Sequence, residues 1–94
     1  MYRSKKILEG ARDSPICFGC GIPNNGTVVA AHSNQSRDGK GYGIKSHDFR
    51  VAYLCFNCHN LVDAGREDRA ESIALWEEAH RGTIGYLFLS GIIR

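Results

Sequence analysis

In residues 4–12 the apolar positions Ile7, Leu8 and Ala11 fall on one side of a helical wheel, which predicts a short amphipathic helix. Ser14 precedes Pro15, and a residue before proline is pushed out of helical backbone angles, so the helix stops there. Two β-rich runs follow, 27–31 leading to His32 and 49–54 leading to Cys55. Residues 33–47 between them are polar and glycine-rich, which predicts a loop. Residues 57–64 suit a short helix, with Gly65 placed as its C-terminal stop. From about residue 67 towards 90, Ala70, Ile73, Trp76, Thr83, Ile84 and Leu87 recur at helical spacing and are expected to face a core. Gly82 and Gly85 fall inside that stretch and weaken it as a continuous helix. The order is helix, strand, long loop, strand, helix, helix, and the fold class expected is α+β.

Length changes this picture in one respect. The chain has 94 residues, enough for one domain, expected to span 1–94. So short a chain buries only roughly 60–70% of the surface its unfolded form exposes, and domains of this size often add a metal or disulfides. Net charge is +2 but unevenly spread. Residues 1–62 carry eight Lys/Arg against four Asp/Glu, and residues 63–94 carry four against six. The basic excess suits a phosphate-binding face opposite a solvated acidic one. No apolar run is long enough for a signal peptide or a membrane span, so a soluble, cytoplasmic protein is expected, with no membrane partner. Thiols stay reduced in that compartment, which turns four cysteines towards metal rather than disulfides.

The cysteines form two pairs, Cys17-x-x-Cys20 and Cys55-x-x-Cys58, separated by 34 residues. A two-residue gap lets both thiolates of a pair point at one ion, and two pairs complete a tetrahedron around Zn²⁺. A redox Cys-x-x-Cys normally occurs singly beside a βαβ unit, which this pattern lacks. Four sulfurs leave no open position, so the zinc is expected to be structural. Catalysis would need another site.

The residues for such a site are His32 at the end of the first strand, His59 directly after the last cysteine, and Asp63 four residues further on. His59 and Asp63 share a helical face and can share one divalent ion, Mg²⁺ or Mn²⁺. The chemistry they fit is hydrolysis of a phosphodiester, with His32 as the general base that takes a proton from water. Histidine is the side chain that changes charge near neutral pH, as that role requires. In the loop, Gly39, Gly41 and Gly43 interleave with Lys40, Tyr42 and Lys45. Glycines allow backbone amides to approach phosphate oxygens, and Lys40, Lys45, Arg37 and Arg50 are the candidate contacts to nucleic acid. The same loop also reads as a flexible one with solvated lysines. Tyr42 suits stacking on a base or covering the hairpin, and Asp48 suits fixing His47 or Lys45.

Taken together, Cys17-x-x-Cys20, Ala31-His32, the Gly39–Asp48 stretch and Leu54-Cys55-x-x-Cys58-His59-x-x-x-Asp63 resemble the YbcO-like family of small phage and prophage HNH-like proteins. The opening residues 2–6 and the segment around Trp76, His80, Leu87 and Gly91 resemble it too, so the likeness spans nearly the whole chain. More distantly, the chain is similar to the phage RecA-dependent nuclease Ref. The resemblance implies a zinc-stabilised ββα-metal (HNH, His-Me finger-like) domain flanked by an N-terminal and a C-terminal helix. It implies DNA endonuclease activity linked to recombination or DNA processing, with DNA and recombination proteins as partners. Ala31 stands where HNH nucleases usually carry a metal ligand, and Arg50 falls near their central Asn. In the tail, Gly82 precedes Thr83 where the family often has Arg, and the arginine here is Arg81. The expected function is a metal-dependent endonuclease, a hydrolase of phosphodiester bonds. The alternatives are a zinc-stabilised DNA-binding module without catalysis and an adaptor for recombination proteins.

Overall fold

Ser4 starts the first helix by capping it: its hydroxyl accepts the Ile7 amide at 3.3 Å, satisfying one of the donors a helix start leaves open. This helix, α1, is Lys5–Glu9, and it tightens into a 3-10 turn over Gly10–Asp13. The computed structural model describes residues 2–33, 35, 46–63 and 69–93, with Asp63 and Arg69 described by backbone alone. Ile7 and Ala11 are buried and Leu8 partly so, as the helical spacing predicts. Strands β1 (Val29–His32) and β2 (Val51–Leu54) pair antiparallel, with Val29 opposite Leu54 and His32 opposite Val51. Helix α2 (Phe56–Asp63) follows β2 after Cys55, and α3 (Arg69–Leu89) closes the chain. The strands are shorter than the β-rich runs, and α3 is unbroken. The expected stop at Gly65 and the loop positions Arg37, Lys40, Tyr42 and Lys45 lie outside the described residues.

A two-stranded ribbon is unstable alone, because it leaves apolar faces and unpaired edge groups exposed. Here α3 answers both needs for β2. All four β2 residues are buried, and with Ile7, Trp76, Ala79 and Leu87 they make the core. The Tyr53 amide donates to Thr83 Oγ1 at 3.0 Å, and the Val51 carbonyl accepts from His80 Nδ1 at 2.7 Å. Two side chains of a helix thus stand in for a third strand. Tyr53 also donates its hydroxyl to the Ile7 carbonyl, tying α1 to the ribbon, and burial raises its phenol to about 12. Each fully buried Leu or Ile adds roughly 1.5–3 kcal/mol.

Helix α3 differs from its sequence pattern at three places. Ala70 is exposed, while Ala79 and His80 are buried. Gly82 does not interrupt the helix: it is where Phe18 lies against α3, and a Cβ there would stand 2.8 Å from the Phe18 ring. The helix therefore runs through a residue of low propensity because the close approach needs it. Among the described residues, no helix is long and apolar enough to cross a membrane.

Candidate functional site

The Cys17 knuckle is shaped by the backbone. Gly21 holds φ at +81°, a conformation L side chains rarely adopt, and its amide closes back on the Cys17 carbonyl at 2.8 Å. The Cys17 amide donates to the Ile22 carbonyl, and Ile16 bridges to Pro23. These bonds aim Cys17 and Cys20 inward. Cys55 follows β2 and Cys58 sits in the first turn of α2, so the strand-to-helix turn supplies the second pair.

All four Sγ atoms lie within 4.8 Å of one another, and Cys20 and Cys55 are 3.8 Å apart. A tetrahedron with zinc–sulfur bonds of about 2.3 Å has edges of about 3.8 Å, so the cluster fits the ion. Backbone amides of Gly19 and Cys55 point at Cys17 Sγ at 3.3 and 3.2 Å. Burial works to raise the Cys17 thiol, but the amides of Cys55, Cys20 and Gly19 outweigh it and bring it down to about 7. Cys58 goes the other way, pushed up by burial and by the sulfurs of Cys20, Cys17 and Cys55. For Cys20 the Ile22 amide favours the thiolate, yet burial and its sulfur neighbours leave it raised. The Cys17 thiolate is thus favoured by the backbone amides around it, whereas Cys20 and Cys58 are held towards the thiol. Three of the four sulfurs are buried, and a four-sulfur shell leaves no position for substrate. The four cysteines thus come together as the spacing predicts, close enough to hold a metal ion in an arrangement consistent with structural zinc.

His32 lies at the other end of the ribbon, three register steps from the Val29–Leu54 pair that adjoins Cys55. Its Nε2 is 2.8 Å from Asp48 Oδ1. Asp48 is only 1% exposed and gathers two further donors: the Ser4 amide at 2.7 Å on Oδ2 and Arg3 Nη1 at 2.9 Å on Oδ1. Burial alone would raise the Asp48 carboxyl; hydrogen bonds from His32, Ser4 and Arg3 outweigh it and hold it below the ordinary carboxylate value. An ionised carboxylate only accepts hydrogen bonds, so Nε2 of His32 must carry the proton. When the ring is neutral, Nδ1 then keeps the lone pair. This assignment follows from the partner's chemistry.

Asp48 therefore fixes His32, and not His47 as the sequence allowed. His47 instead accepts the Tyr2 amide on Nδ1 at 3.0 Å. Arg3 and Ser4 are the members of the cluster that no local pattern in the sequence marks. The return of residues 3 and 4 to residue 48 in the fold reveals their role. Arg50 donates to Glu77 Oε2 at 2.8 Å, lies 4.7 Å above the Trp76 ring, and has a side chain 17% exposed. Trp76 in turn stacks on His80 and donates Nε1 to the Ala31 carbonyl at 3.0 Å.

No protein-family model, curated protein or solved structure matches this chain. His59 is half-buried in α2, one residue beyond Cys58, and Asp63 ends that helix. Their spacing of four residues puts the two positions on one helical face. The structure brings His32, Asp48, Arg3 and Ser4 together at one end of the ribbon and the four cysteines at the other. Arg37, Lys40 and Lys45, expected to meet phosphate, are outside the described residues.

Proposed function

We propose that this chain is a metal-dependent DNA endonuclease of the HNH type, with His32 as its general base. The observation that carries the reading is the hydrogen bond between Asp48 and His32 Nε2, with the ionised carboxylate dictating which nitrogen holds the proton. A base that must accept a proton from water needs a free lone pair and a partner that stabilises the resulting imidazolium. Asp48 supplies that partner. Arg3 and the Ser4 amide keep Asp48 charged and in place. The His32 side chain is 14% exposed, so the ring is not sealed from solvent.

The succession β1, β2, α2 with a zinc cluster at its corner is what supports a ββα-metal unit. His59 and Asp63 on α2 are the residues that would hold Mg²⁺ or Mn²⁺; imidazole and carboxylate are a donor set either ion accepts. When bound, such an ion stabilises charge on the phosphate and the departing oxygen. His32 removes the proton from the attacking water. Cys17, Cys20, Cys55 and Cys58 would hold a zinc ion that secures the strand-to-helix turn and, with no open position, would take no part in the reaction. Phage or prophage DNA processing in the cytoplasm, alongside recombination proteins, is the setting the resemblance suggests.

A second reading, a DNA-binding module without catalysis, draws on one observation. Arg50, near the place of the central Asn of HNH nucleases, is committed to Glu77 and Trp76. Incubating supercoiled plasmid and single-stranded DNA with Mg²⁺, Mn²⁺ or EDTA separates the two. Metal-dependent cleavage that vanishes in His32→Ala, with zinc content unchanged, is the expected result. Salt-sensitive binding without cleavage in any metal would favour the second reading.

A further inference from the structure

Three rings crowd the surface beside the His32–Asp48 cluster. His47 and Phe49 are stacked with centroids 4.9 Å apart and planes at 8°, and Tyr2 leans on Phe49 at 5.6 Å. Tyr2 is 50% and Phe49 46% exposed, although their neighbour Asp48 is fully buried. The backbone makes that contrast: Asp48 turns inward while the residue after it turns out. The Tyr2 backbone is also tied to this segment. The Asp48 amide donates to the Tyr2 carbonyl at 3.0 Å, and the Tyr2 amide donates to His47. Cations follow Tyr2 along the chain: Arg3, whose side chain is 45% exposed and which bonds Asp48, and the exposed Lys5 and Lys6.

We propose that Tyr2 and Phe49 form a stacking platform for an unpaired base of single-stranded DNA. Every base offers a flat π-face, but in a duplex both faces are covered by neighbouring pairs. A platform of exposed rings next to cations can therefore take a base only where the strand is single or locally opened. Arg3, Lys5 and Lys6 meet the adjoining phosphates. Because Asp48 lies between the stacked His47 and Phe49 in the chain and bonds His32, a base on the platform brings its own phosphodiester towards His32. This inference rests on DNA being the ligand, and it adds the substrate class: single-stranded or unpaired DNA.

The test is a fluorescence-anisotropy titration of the full zinc-loaded chain, without added Mg²⁺ or Mn²⁺ so that nothing is cut. Three labelled DNAs of equal length, about a dozen nucleotides, are compared: a single strand, the matching duplex, and a single strand of abasic sites. The wild-type chain is expected to bind the single strand most tightly. Phe49→Ala should weaken that binding about 5- to 150-fold, and Phe49→Trp should restore it. Tyr2→Ala should weaken it in the same sense. On the abasic strand, with equal phosphate charge, Phe49→Ala should make no difference. Helix content by circular dichroism and zinc content establish that each variant is folded. Equal affinity for single strand and duplex, or single-strand affinity indifferent to Phe49 and Tyr2, overturns the platform alone. A wild-type chain that binds none of the three overturns the DNA reading and the platform with it.

Discussion

The two ends of the β1–β2 ribbon solve opposite problems with the same strands. At the Val29–Leu54 end the chain gathers four sulfurs, three of them buried, into a closed shell suited to Zn²⁺. At the His32–Val51 end it gathers Arg3, Asp48 and His32 around one carboxylate. The sulfur end needs an ion to relieve the repulsion among thiolates. The histidine end is balanced by its own side chains, since Arg3 offsets Asp48. A closed shell can only hold structure together, whereas a half-open ring with a fixed proton can take part in a reaction. A very small core gives this division a use: a metal held by the four cysteines would supply stability, so that the other end can hold charges that a core of this size would struggle to bury.

Removing the metal should do the greatest harm. Zinc binding to finger-type sites amounts to about 10–16 kcal/mol in apparent terms, against about 5–15 kcal/mol for a whole domain. Chelation, or Cys58→Ser, should therefore unfold the chain, seen as a cooperative loss of helical circular dichroism. A chelated chain that keeps its helical signal would mean that the ribbon stands without its sulfur end.

His32→Ala should separate the two ends most cleanly. Cleavage should fall by about two to four orders of magnitude, the usual contribution of a general base, with melting and zinc content close to wild type. A parallel loss of zinc would show that the ends are coupled rather than independent.

Asp48→Asn removes the charge and keeps the shape. It leaves Arg3 and the His32 N–H facing a weaker acceptor, and urea denaturation should show a loss of about 3 kcal/mol near neutral pH. The pH dependence has a definite sign. The folded-state value of Asp48 is depressed, so its contribution is complete above the ordinary carboxylate value of 3.8 and is lost as pH falls through the lower folded value. The gap between wild type and Asp48→Asn should therefore be widest above that value and close in stronger acid. A gap that failed to close in stronger acid would overturn the assignment of Asp48 as the ionised partner.

The smallest effects compare two glycines one turn apart in α3. Gly82→Ala places a methyl 2.8 Å from Phe18 and should destabilise by about 1–2 kcal/mol despite its better helix propensity. Gly85→Ala meets nothing within 4 Å and should stabilise by up to about 1 kcal/mol. Thermal melts of the two variants should shift in opposite directions.

Much of this was written in the residues themselves. The two Cys-x-x-Cys pairs placed the sulfur cluster, because a metal knuckle is a local object whose spacing fixes where its ligands point. Ile7, Trp76, Thr83 and Leu87 marked their buried faces by period, which depends only on helix geometry. What depended on distant chain was not legible. Of the two partners the sequence offered Asp48, His47 bonds Tyr2 and Lys45 lies outside the described residues, while Asp48 itself bonds His32, sixteen residues away, and Arg3 and Ser4, more than forty away. Gly82 looked like a break until Phe18 occupied the space its missing Cβ leaves. His80 and Thr83 gave no sign that they would bond the free edge of β2. Local spacing thus determined the metal centre and the helices. Only tertiary structure decided which buried charge meets which histidine, because hydrogen bonds of that kind are set by the approach of segments whose separation along the chain carries no record of it.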